Sequence, residues 1–166
     1  MGATPQDIPL RFVTRFFLVL HILGAIVAVG FSVSYGIWTA LGDATGAAER
    51  AFALRSISWI DRRMTTPAFV LQAVTGAILV WLTGTALLAQ TWLRVSIGLY
   101  VLLTVLAIVR FAPLHRRQLA LAEQIAAGET PDENYATVAS RARNWGVAVV
   151  LITLTIVVLM VSKPGV

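Results

Sequence analysis

Four long runs without a charged side chain dominate this chain of 166 residues: Phe16 to Gly42, Met64 to Leu93, Val95 to Val109 and Asn144 to Ser162. A helix needs about 20 apolar residues to cross a hydrocarbon core of about 30 Å, and three of the runs reach that length outright. The third run is shorter. Arg110 ends it, but a long arginine stem can reach the interface while Phe111 and Ala112 complete the span. With 58% of its residues apolar and 13% charged, the chain carries more hydrophobic surface than a soluble domain can bury. The expectation is an all-α fold, a four-transmembrane-helix bundle forming a single integral membrane domain over residues 1–166. Its spans are expected at about 10–41, 67–89, 92–112 and 143–162. The first run is too long for a signal-peptide core and continues into Tyr35, Ile37 and Trp38, so a retained first helix is expected.

Orientation follows from the 13 lysines and arginines. Nine lie in the two longer connections, namely Arg50, Arg55, Arg62 and Arg63 in the first and Arg110, Arg116, Arg117, Arg141 and Arg143 in the second. The other side has four: Arg11, Arg15, Arg94 and Lys163. The positive-inside rule then puts both longer connections in the cytoplasm and both termini outside, in a multi-pass membrane protein. The net charge of +5 gathers at membrane edges, where topology and lipid headgroups account for it; membrane lipids are expected partners and nucleic acid is not.

Local signals divide the chain further. Pro9 suits a first helical turn, and Gly42-Asp43 reads as a stop. Between Gly46 and Arg63 apolar residues (Phe52, Leu54, Ile57, Trp59, Ile60) alternate with charged ones, which predicts an interfacial helix in the first cytoplasmic connection. Thr66-Pro67 reads as a fresh helix start, with the second span running to about Ala89 and a short turn at Gln90-Thr91. Trp92 suits an interfacial aromatic belt. Pro113 should bend the third span, after which Leu114, Gln118, Leu121 and Ile125 form one stripe of a helix that continues beyond the membrane. Gly128 and the capping box Thr130-Pro131-Asp132-Glu133 predict a last helix from Pro131 to about Ser162, antiparallel to Leu114–Ala127. The helix 3/helix 4 hairpin would thus extend into the cytoplasm.

His21 is the one side chain in the first charge-free run, which begins at Phe16, that ionises near neutral pH. Helical spacing puts Gly24, Ala25, Ala28, Ser32, Tyr35 and Gly36 on its side, and apart from Tyr35 these are small. Small residues let two membrane helices approach, with the imidazole bonded to a neighbour; the same face also suits a groove for a flat ligand, and haem b is the candidate cofactor because neutral imidazole ligates iron. Both readings stand. His21, Gly24, Ala28 and Thr83 are the candidate haem pocket, with His21 as the ligand to the haem iron. The second span carries Gln72, Thr75, Gly76 and Thr83 as a polar and small stripe, of which Thr83 is expected at the depth of His21; Tyr100 and Thr104 are the next polar groups at mid-depth. The only other histidine, His115, is expected at the headgroups, roughly 20 Å or more away along the membrane normal, so the two imidazoles cannot share one haem.

Other chemistries find little here. The absence of cysteine excludes disulfides, thiolate metal sites and cysteine nucleophiles. All eight acidic residues (Asp7, Asp43, Glu49, Asp61, Glu123, Glu129, Asp132, Glu133) fall outside the spans, which disfavours carboxylate-based pumps, di-metal oxidases and intramembrane aspartyl proteases. No phosphate-binding glycine loop or Ser/His/Asp set is present. Arg110 could pair with Asp43 or Asp61.

The stretches His21–Gly30, Trp59–Arg62 and Thr66–Gly76, with Thr91-Trp92-Leu93 and His115–Gln118, resemble an uncharacterised family of bacterial predicted integral membrane proteins, domain of unknown function 2269. The resemblance implies four membrane helices and no activity. The first-helix pattern, histidine and glycine three apart with a further glycine six on, is also similar to the haem-binding membrane protoporphyrinogen oxidases and the copper-resistance D-type proteins. In the oxidases a first-helix histidine is implicated in haem binding, and only His21 matches it. The expectation is a membrane protein without an autonomous catalytic site, an accessory or cofactor-holding subunit in a homo-oligomer or larger complex. The alternatives are a haem-dependent oxidoreductase of the protoporphyrinogen oxidase type and a small oligomeric transporter.

Overall fold

A computed structural model of the chain describes residues 7–164; the side chains of residues 7–9, Asp7 among them, and of Thr85 lie outside the described residues. Six helices follow in order: α1 (Asp7–Thr45), α2 (Ala47–Ile60), α3 (Thr66–Thr83), α4 (Thr91–Leu106), α5 (Ala112–Ala126) and α6 (Tyr135–Ser162). Single π-helical turns, Asp61–Thr65 and Ala107–Phe111, join α2 to α3 and α4 to α5. The chain therefore forms four rods, Leu10–Thr45, Ala47–Thr83, Thr91–Ala126 and Tyr135–Ser162, each long and apolar enough to cross a membrane. Their outer surfaces keep large apolar side chains exposed, such as Phe12, Ile26, Trp81, Ile108 and Val161, as lipid-facing helices do.

Both π turns end two residues before a proline, Pro67 or Pro113. Proline removes one backbone donor and crowds the carbonyl four residues earlier, and the wider turn absorbs both effects without ending the rod. Thr66 consequently does not start a new helix; its hydroxyl donates to Asp61 Oδ2 at 3.2 Å. The expected segment at Gly46–Arg63 is helical, but α2 is the first part of the second rod, with Ala51, Ala53, Leu54 and Ile57 buried and Phe52 and Trp59 facing out.

Three boundaries differ from expectation, each for a local reason. Gly42 does not stop α1. A Cβ there would lie 3.0 Å from Ala53 Cβ and 3.1 Å from Arg50 Cα, so glycine permits close packing of α1 on α2, and the chain turns at Gly46 instead. The second span ends at Thr83 rather than near Ala89, because Gly84 takes φ 98° and a 3₁₀ turn, Thr85–Ala89, leads on. The last helix starts at Tyr135 rather than Pro131. Asn134 is its cap, with Oδ1 accepting from the N–H groups of Ala136 (2.9 Å) and Thr137 (3.4 Å), while Glu133 is held by Arg117.

At one end α2 and α5 pack with the end of α1 and the start of α6 around Ala51, Leu54 and Ala122, flanked by Leu119 and Tyr135. Beside this core, Gln118 and Leu121 of the expected α5 stripe are also buried. A polar network closes it. Arg50 pairs with Asp43 at 2.8 Å and lies over the Tyr135 ring; Tyr135 donates to Asp43 at 2.9 Å and accepts from Gln118 at 3.1 Å. Asp43 is thus taken by Arg50, and Asp61 by Thr66, while Arg110 is exposed and pairs with neither. Arg55 bonds Glu123 through Nε and Nη2, at 3.0 and 2.9 Å.

In the other half α1 packs on α3, and α6 on α4. Among the described residues no α3 backbone position comes within 8 Å of α4, and the seam is bridged by Tyr100, whose hydroxyl donates to the Phe69 carbonyl at 2.6 Å. Trp92 is inside the bundle, 6% exposed, rather than in a lipid-facing belt, with the Lys163 ammonium 5.9 Å from its ring centre. Replacing Asn134 with Ala is expected to lower stability by about 1 kcal/mol, whereas Thr130→Ala leaves it unchanged. Thermal unfolding in detergent micelles compares the two, and the reverse order would return the helix start to Pro131.

Candidate functional site

One polar contact inside the apolar half joins α1 to α3. His21 Nδ1 lies 2.8 Å from Thr75 Oγ1, and Thr75 donates its own hydroxyl hydrogen to the Leu71 carbonyl at 2.6 Å. That assignment fixes the imidazole. Because the threonine hydrogen is spent on Leu71, Nδ1 must carry the proton and donate to Thr75, leaving Nε2 with its lone pair. Gln72 Nε2 donates to the His21 carbonyl, so two side chains of α3 hold one residue of α1. Thr75 is 1% exposed and His21 half-buried.

Two glycines make this approach possible. A Cβ on Gly24 would stand 2.6 Å from Gln72 Nε2, and a Cβ on Gly76 would stand 3.4 Å from His21 Cε1. The small face beside His21 is therefore filled, at Gly24 by the glutamine and at Gly76 by the imidazole itself. Ala28, 1% exposed, is buried in the same contact, and Ser32 returns its hydroxyl to the Ala28 carbonyl at 2.7 Å. By contrast Gly30 and Gly36 have open space where a Cβ would be. One turn beyond Ser32, Tyr35 meets Thr65 Oγ1 at 2.5 Å and continues the α1–rod contact.

The expected site residues are thus brought together in part. His21, Gly24 and Ala28 share the α1–α3 contact, joined by Gln72, Thr75 and Gly76 from the second-span stripe. Thr83 is not with them. The pairs His21–Thr75, Tyr35–Thr65 and Gly42–Ala53 set an antiparallel register that puts Thr83 level with about residues 13–17, at the last turn of α3, where it bonds its own Leu79 carbonyl at 2.6 Å. Placing the end of the span at Ala89 made Thr83 look deeper than it is. Gly24, one turn from His21, and Gly76, beside Thr75, were the sequence signal for the true level. Thr104 likewise bonds its own helix, at the Tyr100 carbonyl.

His115 sits against α2, its ring turned to Ser58. Its Nε2 is 2.9 Å from Ser58 Oγ and its ring stacks on Phe111, centroids 5.8 Å apart. Ser58 and Thr75 belong to one rod, 17 residues apart, so the two histidines are separated by about 25 Å at 1.5 Å per residue. They cannot ligate one haem iron. Among the described residues no group of three or more His, Cys, Asp or Glu could hold a metal ion.

The four-helix bundle, with its polar contacts turned inward and its apolar surface outward, defines a multi-pass membrane protein. Residues 16–164 match the family model described as predicted integral membrane protein (DUF2269), and the chain belongs to that family. No curated protein and no solved structure matches it.

Gly24→Ala is expected to push the Gln72 amide off the His21 carbonyl and to destabilise the protein by roughly 1–3 kcal/mol, since a buried carbonyl and amide lose each other. Gly30→Ala, with open space around it, should be neutral. Unfolding by sodium dodecyl sulfate in mixed micelles measures both.

Proposed function

We propose that this chain is an accessory subunit of a bacterial inner membrane, a helical scaffold with no reaction centre of its own, in which His21 is the ligand-bearing position. One observation carries the reading. The imidazole is held by its Nδ1–H on Thr75, the arrangement that orients a ligating histidine and leaves Nε2 free to bind. Haem b is the candidate ligand, and iron coordination by Nε2 is the chemistry that the residue would supply. The neighbouring residues do not form an enclosed cradle for the macrocycle: Gln72 and the imidazole fill the space at Gly24 and Gly76. A haem at His21 would therefore lie outside the α1–α3 contact, in a site shared with a second copy or a larger complex. Gln72, Thr75 and His21 bond one another, and no contact specifically favours an oxidoreductase or a transport path.

Absorption spectra of protein purified from haem-supplied cells test the ligand. A Soret band is expected in the wild type and its loss in His21→Ala; a colourless wild type would remove haem while leaving the scaffold reading. In the proposed topology the α2–α5 end is cytoplasmic. Because the chain has no cysteine, single cysteines report side directly. In intact spheroplasts, an impermeant maleimide should label Gln90→Cys and spare Ala127→Cys.

A further inference from the structure

The nine arginines of the two longer connections divide into two structural groups that the sequence does not distinguish. Arg50, Arg55 and Arg117 are paired with carboxylates, and all three lie on the far side of the Ser58–His115 contact from the apolar half. Arg62, Arg63, Arg110 and Arg143 are exposed and have no carboxylate partner among the described residues.

Contacts between rods put these four at one level. Ser58 meets His115, so one turn toward the apolar half Arg62 and Arg63 stand level with Arg110 and Phe111. Phe111 in turn faces Gly146, where a Cβ would lie 3.3 Å from its ring, and Arg143 is three residues from Gly146. The four guanidinium-bearing positions thus fall within about one helical turn, or 5.4 Å, along the bundle axis. The Tyr35–Thr65 contact puts exposed Trp38 of α1 at the same height, and both π turns fall there. Arg116 and Arg141, also exposed, follow about a turn behind.

We propose that Arg62, Arg63, Arg110 and Arg143 form a coplanar ring that binds the phosphate groups of anionic phospholipids and fixes the depth of the bundle. Guanidinium groups match phosphate in a bidentate fashion, and here they stand where the apolar surface of three rods ends. The ring is independent of His21 and of any haem.

The full chain in vesicles of phosphatidylcholine with added phosphatidylglycerol provides the test, read as lipid retained through detergent exchange by native mass spectrometry. The wild type should retain phosphatidylglycerol preferentially. Removing each ring arginine should weaken retention about fivefold, so Arg110→Gln combined with Arg143→Gln weakens it roughly 25-fold. Arg55→Gln, which removes a guanidinium already bonded to Glu123, should leave it unchanged. The preference of the wild type should also collapse at about 1 M salt, where the screening length is about 3 Å, and this holds the test open if the double variant fails to fold. Undiminished retention in the double variant or in high salt would overturn the proposal. So would equal binding of inorganic phosphate by the chain in neutral detergent, which would mark a site for free phosphate.

Discussion

Because lipid tails are as apolar as leucine, helices in a membrane gain little from hydrophobic burial against one another and rely on close packing and cross-helix hydrogen bonds. Most hydroxyls in the apolar half of this protein are returned to their own helix, as at Ser32, Thr83, Ser96, Thr104 and Thr153. The contact of His21 with Thr75, braced by Gln72, is different: it ties α1 to α3 and sets the register of the first two rods. From that register follow the Tyr35–Thr65 pair and the close approach of Gly42 to α2, and hence the alignment of the polar end.

Much of this architecture is written in the hydropathy. The four spans and the continuation of the third helix beyond Pro113 need only the length of the apolar runs and the helical pattern that follows them. The small face of the first span was also legible, because residues at helical spacing must share a side. What occupies it was not. Gly24 and Gly76 could open a groove or admit a neighbour, and only the pairing of two helices decides that Gln72 and the imidazole take the space. Depth is less legible than facing: with an expected end at Ala89, six residues beyond the observed Thr83, Thr83 rather than Thr75 falls level with His21. At Thr130–Glu133 a good capping box lost to Asn134, four residues on from Thr130, because Arg117 claims Glu133.

The same contact separates two kinds of polar chemistry. Inside the apolar half, few polar groups exist and nearly all are bonded, which gives the bundle rigidity but little room for a reaction. At the α2–α5 end, charges are plentiful and sorted: those that hold rods together are paired, and those level with the π turns have no carboxylate partner among the described residues. A scaffold positioned by its arginines and offering one oriented imidazole is consistent with both halves.

The fold of the first two rods rests on the energy coupling His21 to Thr75, and a double-mutant cycle of His21→Ala and Thr75→Val in mixed micelles measures it directly. Coupling of about 0.6–1.7 kcal/mol, the range seen for hydrogen bonds between membrane helices, is the predicted result. Strict additivity of the two substitutions, with both variants folded, would contradict it.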